Sequence, residues 1–210
     1  MLDSDKFSVI IPTMWYSDKI QENIERLDDS EYVNEIILID NNTSLKPNYI
    51  DKYTKIKYLP QKENIYVNPA WNLGVEESLC ENICISNDDV IFDADIFGFI
   101  KKHLDVGIYG MSTDNYYIEG KDSKYLVNKI NQRPWGWGCL FFVKKKNWIP
   151  IHSDLKIACG DDWLIKHTKG GAYQIEGLGL SDDKVSVTSI RSEFSDTQIK
   201  DIEIWSQYLR

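Results

Sequence analysis

The sequence predicts a single α/β domain in which a mostly parallel central sheet is flanked by helices. Two observations carry this. The apolar runs Phe7–Thr13, Glu35–Asn42 and Ile83–Ile85 are continuous rather than alternating, as in strands covered on both faces, and each stops at polar residues. Between them lie segments of helical spacing, which joins consecutive strands as right-handed βαβ units.

Each element has its own signal. Phe7–Thr13 is β-branched and stopped at Pro12, the mark of a buried strand meeting a loop. A helix is expected from Asp18 to Leu27, with Ser17 or Asp18 as its cap and Ile20, Ile24 and Leu27 on one face. Glu35–Ile39 leads into Asp40-Asn41-Asn42, and Ile56–Leu59 reads as a third strand. Asn68-Pro69 opens a helix, with Asn as cap and Pro at the first helical position. That helix carries Ala70, Trp71, Leu73 and Leu79 into the Ile83–Ile85 strand.

Asp93–Leu104 is expected to be helical, with Ile96, Phe99 and Ile100 inward, and Val106–Met111 to be a strand. From Asp114 to Arg133, Tyr116, Tyr117 and Tyr125 alternate with charges, so a hairpin and a mobile loop both fit. Trp135-Gly136-Trp137-Gly138 precedes the strand Cys139–Val143, and Lys144–Lys146 reads as a solvated turn. Gly160–Lys166 starts a helix that Gly170-Gly171 ends, and Ala172–Ile175 is the last strand. Gln198–Leu209 forms an amphipathic helix with Ile199, Ile202, Trp205 and Leu209 on its apolar face.

Bulk properties narrow the class. At 210 residues, with 42% hydrophobic and 12% aromatic content, the chain suits one packed domain. A formal charge of −9 disfavours nucleic acid, whose phosphates are bound by clustered Lys and Arg. It does not disfavour a nucleotide held through a cation. The four cysteines, Cys80, Cys84, Cys139 and Cys159, make no C-x-x-C pair and the histidines are scattered, which argues against zinc and for reduced thiols. No apolar run reaches the roughly 20 residues of a membrane helix. The polar start, Met1 to Lys6, lacks the apolar core of a secretion signal, so a cytoplasmic location is expected.

Chemistry concentrates in two acidic pairs. Asn87-Asp88-Asp89 ends a buried strand, where unpaired carboxylates are costly. A hard divalent cation shared with a phosphate would satisfy them, and a solvated turn is the bland alternative. Asp161-Asp162 sits at a helix N-terminus, whose dipole favours negative charge, so a cap and a catalytic pair are both open. Ligands of open parallel sheets bind beyond the strands' carboxyl ends. Thr13, Asp40, Asp88 and Asp89 should therefore gather at one edge.

The ordered set Ser8–Thr13, Ile37–Asn41, Asn64-Ile65 to Trp71-Asn72-Leu73-Gly74, Ser86–Val90, Gly138–Val143 and Gly160-Asp161-Asp162 resembles the family 2 inverting glycosyltransferases of the GT-A fold, over roughly residues 7 to 176. The compact length is similar to that of the small capsid-glycosylating glycosyltransferase domains of chlorella viruses, which would place the chain in a host cytoplasm. The resemblance implies hexosyl transfer from a nucleotide sugar, a UDP- or dTDP-sugar, to a glycan or glycoprotein hydroxyl, with Mn²⁺ or Mg²⁺ as cofactor. It implies a nucleotide-binding half (7–104), an acceptor half (105–180) and a tail with a helix (181–210).

Residue by residue, it implies that Thr13 lines the nucleotide pocket, Asp40 accepts from the base N–H and Asn72 approaches the nucleotide. Asn87-Asp88-Asp89 stands at the D-x-D position, with Asp89 on the metal and Asp88 on metal or ribose. The first position is Asn rather than Asp, which weakens the claim on Asn87; it is expected to bind the nucleotide sugar, with the metal assigned to Asp89 and Asp88. Asp162 or Asp161 would be the general base, the family's usual Glu-Asp being Asp-Asp here. Trp135, Trp137 and Gly138 would line the donor-sugar and acceptor cleft, a core role being equally open to one of the tryptophans.

Two rival classes share features. A sugar-phosphate nucleotidyltransferase usually needs a Gly-rich, Arg-containing loop after the first strand, where Thr13-Met14-Trp15-Tyr16-Ser17 has neither. A non-catalytic carbohydrate-binding module would account for 7 Trp and 12 Tyr but gives the acidic pairs no purpose.

Overall fold

In the computed structural model, which describes residues 5–111, 125–177, 179–181 and 191–209, strand β1 (Phe7–Thr13) is buried along its whole length. An unbroken apolar run of this kind needs neighbours on both edges and packing on both faces. β2 (Val33–Asp40) and β4 (Asn82–Ser86) pair with β1 in parallel, and β3 (Ile56–Pro60) extends the sheet beyond β2. β8 (Leu140–Lys144) lies antiparallel against β4. Then come β6 (Ile108–Met111), β9 (Ala172–Glu176) and β7 (Leu126–Ile130). The order is β3-β2-β1-β4-β8-β6-β9-β7, with only β8 and β7 reversed. A small ribbon pairs β5 (Ile91–Phe92) with β10 (Leu180–Ser181).

Alternate residues of the central strands serve two cores. Val9, Ile11, Ile36 and Leu38 pack with Ile20, Ile24 and Leu27 of α1 (Lys19–Asp29) and with Ile96, Phe97 and Ile100 of α3 (Ile96–Ile100). Ile10, Ile37, Ile83 and Ile85 pack with Ala70, Trp71 and Val75 of α2 (Val67–Glu77) and with Leu164 of α4 (Gly160–His167).

Several expectations need correction. α2 begins two residues early, with Tyr66 at φ 68 in the cap position; Asn68 lies inside the first turn. Its buried side chain donates instead to Ala158 O at 3.2 Å. The helix stops at Glu77, leaving Leu79 exposed beyond it. α3 is one short turn: after it, Lys102 and His103 donate to carbonyls three residues back, the tighter 3₁₀ pattern. Phe97 rather than Phe99 is its wholly buried aromatic, packed on Phe7 and Phe142. The lysine run is tethered. Lys144 pairs with Asp105 at 2.7 Å, and Lys145 Nζ donates to the carbonyls of Glu76 and Ser78 at the end of α2.

Tyr116 and Tyr117 fall outside the described residues, while β7 pairs antiparallel with β9. In the C-terminal helix α5 (Ser195–Tyr208), Ile199, Ile202 and Leu209 are exposed and the one buried residue is Asp201. Of the expected apolar stripe, Ile199, Ile202 and Leu209 therefore face away from the domain, while Trp205 packs partly buried against the core beside Trp163. No helix of the described residues is long and apolar enough to cross a membrane.

Candidate active site at the carboxyl edge of the sheet

Thr13 and Asp40 end adjacent strands in register, and Asn41 N donates to Thr13 O at 2.9 Å. The Thr13 hydroxyl donates to Asp88 Oδ2 at 2.7 Å and accepts from Trp15 N at 2.8 Å. The first strand thus orients a carboxylate that lies 75 residues further along the chain. Asp40 is wholly buried; Asn42 N donates to Oδ1 at 2.8 Å and Tyr58 OH to Oδ2 at 2.6 Å. Burial, reinforced by the Asp40 carboxylate, pushes the Tyr58 phenol well above its ordinary range. Asn41 Oδ1 accepts from Ile65 N at 3.1 Å, which ties the segment before α2 to the same edge.

The second half of the chain arrives through β8. Because β8 is reversed, its first residue, Leu140, pairs with Ser86 at the carboxyl end of β4. Asn87 N donates to Cys139 O at 2.9 Å, which sets the acidic turn beside the segment leading into β8. Gly138 comes next. A Cβ there would lie 2.8 Å from Asp161 Oδ2, so the missing side chain lets Asp161 pack against the backbone.

Asp161 and Asp162 stand in the first turn of α4, favourably placed for its dipole. Arg133 forks onto them, NH1 to Asp161 Oδ2 and Nε to Asp162 Oδ1, each at 3.1 Å. The Asp161 side chain is 14% exposed and that of Asp162 26%. Burial pushes the Asp161 carboxyl up, and the Arg133 charge pulls it back. The Cys159 thiol is pushed up to about 12, first by burial and then by the two acids, which leaves it unreactive near neutral pH.

The edge therefore collects Thr13, Asp40, Asn87, Asp88, Asp89, Gly138, Asp161 and Asp162. Asn87, Asp88 and Asp89 are half-buried in one turn. Several of the expected site residues also have local structural partners. Thr13 is 2% exposed and its hydroxyl aligns Asp88; Asp40 faces inward and holds the β2 turn. Gly138 serves the approach of Asp161. Trp137 is core: fully buried, stacked on Phe141, with Nε1 donating to Tyr173 O at 3.0 Å. Trp135, 77% exposed, is the tryptophan on the surface. Asn72 clamps the 148–151 segment, its Oδ1 accepting from Ile151 N and Trp148 Nε1 and its Nδ2 donating to Ile151 O.

Arg133 was missed by sequence reasoning, although a lone arginine two residues before Trp135 was the available signal. Its effect is testable. Arg133→Met leaves burial of the Asp161 carboxyl unopposed, so that carboxyl titrates at higher pH. An NMR pH titration of Asp161 is expected to show its midpoint moved upward in the variant. An unmoved midpoint would show that the arginine does not tune this carboxyl.

Among the described residues, no group of three or more His, Cys, Asp or Glu is gathered to cage a cation. Asp88 and Asp89 do offer the one or two carboxylates a hard ion takes when substrate phosphates supply the other oxygens. The donor Thr13 orients Asp88 as an outer-shell partner would. The residues fit a cation that arrives with a diphosphate.

A parallel-rich sheet of this order, with acidic loops at its carboxyl edge, defines a GT-A-type domain. Residues 8–164 match the sequence model of glycosyl transferase family 2, and the chain belongs to that family. Solved structures share the fold. TarS 1-349 from S. aureus in complex with UDP-GlcNAc gives a TM-score of 0.65 at 15% identity, covering 91% of this chain and 64% of that one. HddC from Yersinia pseudotuberculosis gives 0.58 at 15% identity, covering 85% and 94%. GalNAc-T7 with UDP, GalNAc and Mn²⁺ gives 0.59 at 12% identity, covering 84% and 43%. The chain thus spans under two thirds of the length of TarS 1-349. A search of curated protein sequences finds no match, and nothing in these comparisons supports a chlorella-virus origin.

Proposed function

We propose that the chain transfers a sugar, with inversion, from a UDP-sugar to a hydroxyl of a glycan or glycoprotein acceptor. The observation that carries this is the linkage of both acidic pairs at one edge, from Thr13 to Asp88, Asn87 to Cys139, and Gly138 to Asp161. Membership of glycosyl transferase family 2 supports it, as do UDP-GlcNAc in TarS and UDP with Mn²⁺ in GalNAc-T7.

The turns after Thr13 and Asp40 receive the nucleoside. Asp89, with Asp88, would hold Mn²⁺ or Mg²⁺, and such a cation would supply Lewis-acid neutralisation of the charge on the departing diphosphate. Asp162, the more open of its pair, takes the acceptor hydroxyl's proton as the oxygen attacks the anomeric carbon. The carbon–oxygen bond to the diphosphate breaks on the opposite face, and the nucleoside diphosphate leaves. Asp161 and Arg133 hold Asp162 in place, and exposed Trp135 offers an aromatic face to a sugar. Free cysteines, all four of them, accord with a reducing cytoplasm.

Calorimetric titration with UDP, UDP-GlcNAc and dTDP-sugars, each with and without Mn²⁺, tests the reading. UDP-sugar binding strengthened at least about tenfold by the metal is the expected result. Pyrophosphate release from a nucleoside triphosphate would instead revive the nucleotidyltransferase class.

A further inference from the structure

α5 is anchored through a carboxylate. Asp201 is 1% exposed, while Ile199 and Ile202 on the same helix are each 56% exposed. Asp201 Oδ2 accepts from Ile157 N at 2.6 Å, Ala158 N at 2.8 Å and Lys156 N at 3.1 Å, and Oδ1 accepts from Lys156 N at 3.1 Å. Three successive amides converging on one anion make a backbone nest. So many donors on a buried carboxylate fix both the helix and the loop, since burying it without them is costly.

The loop is gripped from its other side by α2. Asn68 N donates to Lys156 O at 3.0 Å and Asn68 Nδ2 to Ala158 O at 3.2 Å. Cys159 then adopts φ 60, a conformation that a non-glycine residue keeps only where its surroundings impose it. α4 starts at Gly160, where a Cβ would come within 2.1 Å of Asn68 Oδ1. The next two residues are Asp161 and Asp162. Further along, α5 lies against α4: the Tyr208 ring meets Trp163 edge-on at 5.3 Å, and Lys166 Nζ donates to Tyr208 O at 2.6 Å.

We propose that Asp201 is a positioning residue for sugar transfer. Its carboxylate locks residues 156–158, and through Cys159 it sets the first turn of α4, aiming the acidic pair at the donor's anomeric carbon. This rests on the transferase reading above. The nucleotide end is held by separate bonds, Thr13 to Asp88 and Tyr58 to Asp40, so loss of Asp201 should misplace the base and leave donor binding intact.

The test compares Asp201→Asn with wild type, with Ile202→Ser on the exposed face as control. An asparagine turns an N–H toward the nest and cannot accept all four bonds. The expected kcat falls roughly 10- to 100-fold, since small misplacements of reacting groups cost that much, while the donor KM and the UDP Kd stay within about twofold. Amide hydrogen exchange should accelerate by about tenfold or more over residues 156–163 and stay unchanged over 36–41 and 83–86. Ile202→Ser should alter neither readout.

A kcat within twofold of wild type, unchanged exchange at 156–163, or acceleration spread evenly over the sheet would each overturn the proposal. Should Asp201→Asn fail to fold, Asp201→Glu takes its place and must show the same split. A wild-type chain that transfers no sugar overturns the transferase reading and with it the catalytic part of this role; the exchange pattern alone then decides whether the nest holds α4.

Discussion

Asp162→Asn is expected to lower kcat roughly 10²–10⁴-fold, the usual contribution of a positioned general base, with UDP affinity within about twofold of wild type. The substitution preserves shape and removes the proton acceptor. Arg133 retains its contact with Asp161, so the first turn of α4 keeps its main ion pair. Steady-state UDP release with a saturating acceptor, paired with calorimetry, separates chemistry from binding. The comparison that decides the assignment is Asp161→Asn. Asp161 is the more buried of the two and packs on Gly138, which suits a support better than a proton acceptor. A larger loss in kcat for Asp161→Asn than for Asp162→Asn would exchange the two roles.

Asp89→Ala is expected to abolish the response to Mn²⁺. Stabilisation of a departing diphosphate by a cation is worth several kcal/mol, which corresponds to about 10²-fold or more in rate. Metal-free UDP binding should be unchanged, because the turns after Thr13 and Asp40 are held by bonds that do not involve Asp89. Mn²⁺ titration of UDP affinity and of turnover reads both effects at once. Full metal-dependent turnover in the variant would move the cation to other ligands.

Much of the scaffold was legible because it rests on local patterns. The continuous apolar runs of β1, β2 and β4 follow from strands buried on both faces, and the acidic residues were found because charge at the end of such a run is costly. What escaped depends on tertiary packing. Trp135 and Trp137 are two residues apart with near-identical surroundings in sequence, yet only Trp137 finds Phe141 and the Tyr173 carbonyl. Asn68-Pro69 carries a standard cap signal, but the Asn68 amide is drawn to Ala158, so the helix starts earlier. The stripe Ile199, Ile202, Trp205 and Leu209 of α5 suggested an inward face, but Trp205 is the member that packs on the core, and four hydrogen bonds to Asp201 hold the helix instead. Backbone donors as distant as residues 156–158 leave no trace in periodicity.

The ladder between β4 and β8 has a further implication for how such a protein changes over time. It is the seam along which the two portions of the candidate site are stitched, since Ser86 meets Leu140 just where Asn87 and Cys139 continue outward. A slip of one residue along it would turn every β8 side chain to the opposite face and carry Gly138 out from under Asp161. Surface connections upstream can lengthen or shorten with little penalty, because loop closure grows slowly with length. New specificities should therefore arise by remodelling those connections, while the stitching itself stays fixed.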